Sequence, residues 1–276
     1  MYMVNIFLLD GQFMWNIPLL VSFLAIAILY SLMVHHLTEI KMYHKQPLYF
    51  FFSIGLLYLT IGSPLTTISH LSFSLHMIQM SILYFVIPPM LLLAIPGNIF
   101  NRIKKFTIID KLSKWTLSPR VALIVFSILF FMYHLPFLLK IFSLDSYIHN
   151  GYMLLLFLLS LYMWCPLVSP DPKKRFSERR KKRYVVLSGV LLMPACLVFI
   201  FSAFIDGINN PFLAQITAHL CIPSQSISFN ILPPPFNTKY DQVMAGFIMF
   251  GMHKIALMVS SQNRREGTDA QVKKFG

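Results

Sequence analysis

Acidic residues are scarce in this chain, which holds 10 Asp and Glu against 23 Lys and Arg in 276 residues. Charged residues of both signs make up only 12%, while 57% are hydrophobic, and this balance excludes an ordinary soluble domain. Three cysteines without a CxxC pair indicate neither a disulfide framework nor a thiolate metal cage. The sequence also lacks a P-loop, a Gly-rich dinucleotide fingerprint, HExxH and GxSxG, so we predict that the protein is not an enzyme.

What the sequence does have is seven long apolar stretches. A helix needs about 20 mostly apolar residues to cross the hydrocarbon core of a bilayer. We therefore predict an all-α integral membrane protein, a single polytopic domain over residues 1–276 that forms a seven-transmembrane-helix bundle. The predicted spans are Ile17–Leu37, Leu48–Leu65, Leu75–Pro96, Pro119–Lys140, Tyr147–Val168, Tyr184–Ile205 and Asp241–Ser261.

Positive charge falls on alternate connections between these stretches. The segment 171–183 alone holds eight basic and two acidic residues, a net charge of +6, whereas the connections on the other side carry almost no charge. The positive-inside rule then places the N-terminus outside and the C-terminus in the cytoplasm. The same basic loops, facing anionic lipid headgroups, explain the net charge of +13 without nucleic acid, for which no binding motif is present.

With this topology, five histidines gather at the predicted outer side and one lies near the middle of the membrane. The outer five are His70, His76, His134, His149 and His219. His253 is the one near mid-membrane, on the seventh predicted span. Burying a polar side chain in a membrane is costly, so such residues are more often functional than those in soluble cores.

The densest group of metal-ligand side chains is the run HMIQM at 76–80. Imidazole and thioether groups bind copper, and Met favours Cu(I). His76 and Met80 are four residues apart and share one helix face, while Met77 points about 100° round the helix. A third ligand would come from His70, His134 or His149. The alternative interpretation is that these methionines are flexible fillers of an apolar core.

Three proline sites are expected to kink the predicted helices. Ser63-Pro64 lies in the second span, Pro88-Pro89 falls just past the middle of the third, and Pro194 lies in the sixth. Proline has no N–H, so we expect carbonyl groups to be freed that neighbouring residues must satisfy. At the start of the seventh span, Asp241 is predicted to cap its own helix, because a helix N-terminus attracts a carboxylate.

Several segments together resemble the CtaG family of cytochrome c oxidase assembly factors, found in Gram-positive bacteria and their relatives. The segments that carry the resemblance are SPL at 63–65, FSLHMIQM at 73–80, PPMLLL at 88–93, YHLP at 133–136, WCPL at 164–167 and DQVMAG at 241–246. The resemblance implies a multi-pass protein of the bacterial plasma membrane that is needed to mature a caa-type haem–copper oxidase. Its partners would be oxidase subunits, and its suggested role is copper delivery or insertion at the CuB centre.

The resemblance also implies site residues. His76 and Met77 match the family's HM pair, and Gln79, His134 and Asp241 match their own motifs. The chain departs from the family at Met80, where many members have a second histidine, and after His149, where Tyr152 and Met153 replace a second His-containing motif. Fewer imidazoles and more thioethers imply transient Cu(I) rather than a permanent metal.

Two other functions remain open at this point. A transporter of copper or another small solute is compatible with seven spans, a kinked third helix and His253. A metal-free scaffold that holds oxidase subunits together is compatible with the incomplete ligand set. A homo-oligomer, in which two chains complete the coordination, also remains open.

Overall fold

The computed structural model describes residues 15–69, 72–103, 118–135, 138, 142, 145–169, 175–205, 236 and 238–275. These residues contain helices and no strand, which confirms the predicted all-α class. In chain order the helices are α1 (Ile17–Leu37), α2 (Lys45–Ile61), α3 (Leu65–Ser69), α4 (Phe73–Ser81), the π segment (Ile82–Val86), α5 (Ile87–Ala94), α6 (Gly97–Ile103), α7 (Pro119–Tyr133), α8 (Ser146–Val168), α9 (Glu178–Ile205) and α10 (Lys239–Phe275).

Five helical stretches among the described residues are long and apolar enough to cross a membrane. They are Ile17–Leu37, Phe73–Ala94, Tyr147–Val168, Glu178–Phe201 and Lys239–Ser260. The helices in the other two predicted spans are shorter, with 17 residues in α2 and 15 in α7. Length and composition therefore indicate a membrane protein, while seven crossings and their orientation remain predictions.

Two of the predicted helix ends lie too far along the chain, and both are followed by a proline. The fourth span was predicted to reach Lys140, but α7 ends at Tyr133. Pro136 has no N–H and its ring disfavours a helical residue before it, which favours an end to the helix at this point. In the same way α2 ends at Ile61, before Pro64. The last two helices are longer than predicted, since α9 begins at Glu178 and α10 continues to Phe275.

The second proline site is accommodated by the π segment and by a tryptophan from another helix. At its end the Ile87 N–H donates to the Ile82 carbonyl, five residues back. The next two residues, Pro88 and Pro89, have no N–H to offer the Tyr84 carbonyl. The Trp164 indole Nε1–H of α8 donates to that carbonyl instead, at 3.0 Å. The prediction that a neighbour satisfies a freed carbonyl is confirmed here.

Helices α4 and α10 run side by side in the same direction. At their starts the Phe73 N–H donates to Asp241 Oδ2 at 2.9 Å. Twelve residues later on both helices, the Phe85 and His253 rings lie with centroids 5.0 Å apart. The two helices therefore stay in register over about 18 Å.

On its other side α10 packs tightly against α9 at Gly246. A Cβ atom at this position would lie 2.8 Å from the Cys196 carbonyl oxygen and 2.9 Å from Ile200 Cγ1. The first of these is a backbone atom, which cannot rotate away. Gly246 thus sets the distance between the two helices.

We expect Gly246→Ala to destabilise the protein by about 1–3 kcal/mol, because the added methyl group pushes α9 and α10 apart. Gly251→Ala on the same helix is the matched control, since a Cβ there meets nothing within 4 Å. That control should be neutral or stabilising by up to about 1 kcal/mol, because alanine favours helix. Thermal unfolding in detergent measures both, and equal effects would contradict the packing role of Gly246.

Apolar side chains cover the outside of the bundle as well as its interior. All of α1 is described, and Val34 is its one buried residue. The interior holds an aromatic cluster of Tyr84, Phe85, Phe126, Phe130, Tyr133 and Trp164. An outside this apolar is expected where a protein faces lipid rather than water.

Candidate functional site

Two buried histidines lie next to each other at one end of the bundle. His76 is in the first turn of α4 and is 1% exposed, and His134 directly follows α7 and is 5% exposed. Their ring centroids are 6.3 Å apart and their planes meet at 68°. A histidine nitrogen lies about 2 Å from the metal ion that it binds. When two histidines bind one ion from opposite sides, their ring centroids are therefore about 6 Å apart. The spacing fits a single ion held between the rings.

The protonation of His134 can be assigned from its hydrogen bond. Its Nδ1 atom lies 2.6 Å from the Phe130 carbonyl oxygen, which can only accept, so Nδ1 carries the proton. Nε2 then presents a lone pair. That atom is buried and has no hydrogen-bond partner among the described residues. A backbone carbonyl that holds one ring nitrogen while the other faces inward is the usual support for a metal-ligating histidine.

Thioether and aromatic groups surround the two histidines. Met77 and Met80 are 0% and 2% exposed. Both belong to helix α4, where Met80 lies on the same face as His76 because the two are four residues apart. The Phe130 and Phe199 rings lie 4.7 and 5.2 Å from that of His134. The donor set is therefore soft and enclosed in apolar packing, which suits Cu(I) better than a hard cation.

His149 reaches this site through a tyrosine rather than directly. Its Nε2 lies 3.1 Å from the Tyr133 hydroxyl oxygen, and the Tyr133 ring lies 6.1 Å from that of His76. Sequence reasoning offered His149 as a third ligand. In the structure its Nε2 is occupied by the hydroxyl, so it orients Tyr133 beside His76.

Asp241 joins the start of α4 to the start of α10. It lies in the first turn of α10, as predicted, and is 0% exposed. Its oxygens accept hydrogen bonds from the backbone N–H groups of Phe73 and Ser74 and from the hydroxyls of Ser72 and Ser74. Asp241 thus lies in the first turn of its own helix, where a carboxylate is favourable, and its oxygens also cap the start of α4, whose first N–H groups have no partner within that helix.

The other metal-ligand side chains do not complete the set. Among the described residues, no three His, Cys, Asp or Glu side chains are grouped so that they could hold a metal ion. His70, another predicted ligand, lies outside the described residues. Among the described residues, the buried thioethers of Met77 and Met80 are the other candidate ligands.

Comparison with known proteins gives the family. The family model described as cytochrome c oxidase caa3 assembly factor (Caa3_CtaG) matches residues 28–261. The chain belongs to this family. The resemblance predicted from its motifs is confirmed, and the two histidines, the two methionines and Asp241 all fall within the matched range. No curated protein and no solved structure matches the chain.

In this caa3 assembly factor, Gln79 provides the hydrogen bond that Pro64 cannot donate to the preceding helix. Its Nε2 donates to the Thr60 carbonyl at 2.6 Å, and its Oε1 lies 2.6 Å from the Ser69 hydroxyl. Pro64 follows Thr60 by four residues and has no N–H for that carbonyl. The Gln79 amide therefore has a structural task in the motif, and its position gives no support to a metal-binding role.

We expect Gln79→Leu in the assembly factor to lower the free energy of unfolding by about 1–3 kcal/mol, since the buried Thr60 carbonyl loses its partner while the Ser69 hydroxyl keeps the Thr66 carbonyl. Cu(I) affinity of the folded variant should stay unchanged. Chemical denaturation and a Cu(I) titration check the two statements. A loss of copper binding in a variant of normal stability would instead make Gln79 part of the metal site.

His253 lies apart from the other candidate residues of the assembly factor. It is 2% exposed, and its ring lies 5.0 Å from that of Phe85 and 6.3 Å from that of Trp164. Phe85 follows His76 by nine residues, or about 13 Å along the helix. The structure therefore places His253 deeper in the bundle than the His76–His134 pair.

Sequence reasoning missed the partners that fix these residues. Ser72 and Ser74 bind Asp241, and Thr60 and Ser69 bind Gln79. One signal was available, since a serine directly before an apolar helix is a preferred N-cap, and the Ser72 hydroxyl accepts from the Leu75 N–H. The other partners are brought together only by the tertiary fold.

Proposed function

We propose that this assembly factor binds Cu(I) transiently between His76 and His134 and supports copper delivery or insertion into a haem–copper terminal oxidase, at its CuB centre. The copper is cargo rather than a resident cofactor. The observation that carries the proposal is that His134 Nε2 is buried without a hydrogen-bond partner among the described residues, on a ring whose centroid lies 6.3 Å from that of a second buried imidazole.

The chemistry of the donor set supports delivery rather than storage. Two imidazoles with Met77 and Met80 nearby offer few, soft and exchangeable ligands, which hold Cu(I) but not hard cations. A permanent metal site would have a closed ligand set with hydrogen bonds to every ligand. Here Asp241 and Gln79, which could have closed the set, are engaged in backbone hydrogen bonds.

The charge distribution supports loading at the outer face of the bacterial plasma membrane. The starts of α4 and α10 and the end of α7 lie together at the site. The opposite end of α9 carries the basic run from Arg179 to Arg183, which the positive-inside rule places in the cytoplasm. Partner subunits of the oxidase would then meet the site from the outer side.

Oxidase activity in cells tests this proposal. In a bacterial host without its own assembly factor, His76→Asn/His134→Asn should lower haem–copper oxidase activity about tenfold or more, the effect of weakened metal ligation. Excess copper in the medium should restore part of it, because mass action refills a weakened site. Immunoblotting of membranes controls for protein level, and full activity at a normal level would refute the copper role.

A metal-free scaffold is the second candidate. The observation that favours it is that Gln79 and Asp241, both from motif segments, serve the fold. A scaffold predicts full activity in the double histidine variant, so the same experiment separates the two functions.

A further inference from the structure

Two buried polar atoms on facing helices are not used by the proposed site. His253 Nδ1 on α10 and Ser81 Oγ on α4 have no hydrogen-bond partner among the described residues. The two residues are 2% and 0% exposed, so bulk solvent does not reach them. A buried polar group without a partner is costly, and one explanation is a bound ligand.

The register of α4 and α10 shows where these atoms lie. Phe73 is level with Asp241, and Phe85 is level with His253, twelve residues further on both helices. Ser81 is eight residues after Phe73, and Met249 is eight residues after Asp241. Ser81 and Met249 therefore lie at the same depth, about 6 Å above His253.

Helix geometry places Met249 on the α4 side of α10. It is 1% exposed and lies four residues before His253, so the two share a helix face. Viewed along the axis of α10, Met249 lies between Asp241 and His253. Both of those residues contact the helix formed by α4 and the π segment. Ligand side chains four residues apart on one helix face can bind a single ion, as the two histidines of a zinc helix do.

We propose that Met249 and His253 form a second Cu(I) site, deeper in the bundle than the His76–His134 pair. This inference rests on the proposed function, since it assumes that copper enters at the first site. One nitrogen and one sulfur satisfy Cu(I), which prefers soft ligands. The Nζ of the neighbouring Lys254 lies over the Phe250 ring at 5.2 Å and beside Gly189 of α9.

Met77 lies between the two sites. It belongs to the row Phe73–Met77–Ser81–Phe85, whose first residue donates its backbone N–H to Asp241 of α10 and whose last ring contacts His253 of α10. Met77 is four residues before Ser81, and Ser81 is level with Met249. The Met77 backbone therefore lies about 6 Å nearer than Met249 to the end of the bundle that holds His76 and His134. An ion can pass from His76 to Met77 and on to Met249 by exchanging one ligand at a time, with no change in its charge.

Tryptophan fluorescence can report on the deeper site alone. The chain has three tryptophans, and the Trp164 ring lies 6.3 Å from that of His253. In a Trp15→Phe/Trp115→Phe background only Trp164 emits. Titration of the purified full-length protein in detergent with Ag(I), a closed-shell stand-in for Cu(I), should quench this emission saturably.

Three variants then locate the quenching ion. Met249→Leu/His253→Asn should lose the quenching and bind one Ag(I) fewer, whereas His76→Asn/Met80→Leu should still quench once Ag(I) is added in excess. Met249→Leu alone conserves volume and should weaken the quenching if the double variant does not fold. Met244→Leu, at a half-exposed position of the same helix, is the matched control and should behave as the unchanged protein.

The outcomes separate this inference from the proposed function. Quenching that survives in Met249→Leu/His253→Asn overturns the second site. Ag(I) bound at His76 and His134 without any Trp164 quenching overturns it too, and leaves the proposed function standing. No Ag(I) or Cu(I) binding by the unchanged protein overturns both.

Discussion

Replacing His76 and Met77 together with Ala is expected to abolish stoichiometric binding of Cu(I) at the His76–His134 site. The change removes one of the two imidazoles whose centroids lie 6.3 Å apart, together with a buried thioether. Losing even an outer-shell partner lowers metal affinity about 10–100-fold, and the loss of a direct ligand should be at least as large. Metal analysis and competition with a Cu(I) chelator measure the effect on the purified protein.

A control for packing is necessary because both side chains are buried. Alanine leaves a cavity at each position, and cavities in a core destabilise by about 2–5 kcal/mol. Leu156→Ala on α8 leaves a comparable cavity at a residue that is 0% exposed and has no ligand atom. It should lower stability while Cu(I) affinity is retained. Similar Cu(I) binding in both variants would remove His76 and Met77 from the site.

The second large effect is expected at Asp241. Asp241→Ala leaves the buried N–H groups of Phe73 and Ser74 and two buried hydroxyls without their acceptor. Each buried group that loses its partner costs about 1–3 kcal/mol, so we expect a loss of about 3 kcal/mol or more in the free energy of unfolding. Chemical denaturation in detergent measures it.

Asp145 offers the matched control for this prediction. Its carboxylate also caps a helix, accepting from the Tyr147 and Ile148 N–H groups, but these hydrogen bonds are exposed. Asp145→Ala should cost only about 1 kcal/mol, the usual value for an N-cap. Equal losses at the two aspartates would contradict the importance of the buried contact between α4 and α10.

The sequence predicted the helices well wherever hydropathy alone decides them. Span one was predicted at Ile17–Leu37 and the structure has the same bounds, because the residues up to Val34 are almost all apolar and Asn16 caps the start of the helix. The prediction failed at Pro136 and Pro64, since an average over an apolar window does not register a single missing N–H. It also missed the polar extension of α9 before Tyr184, which no apolar window includes.

The site was predicted in part. His76 and His134 come from different helices, yet their shared outer-side position followed from the topology and the structure brings them together. The roles of Gln79 and Asp241 could not be read from the sequence, because each depends on backbone atoms of another helix. The sequence alone does not distinguish a motif residue that hydrogen-bonds to the backbone of another helix from one that binds a ligand.

The contact between Asp241 and α4 also has a consequence for the order of biosynthesis. The bonded residues are 167–169 positions apart in the chain, and α10 is synthesised after every other helix described above. The first N–H groups of α4 are therefore made long before the carboxylate that accepts from them. A nascent chain that has not reached residue 241 lacks this acceptor, so the start of α4 is completed only when α10 has been made.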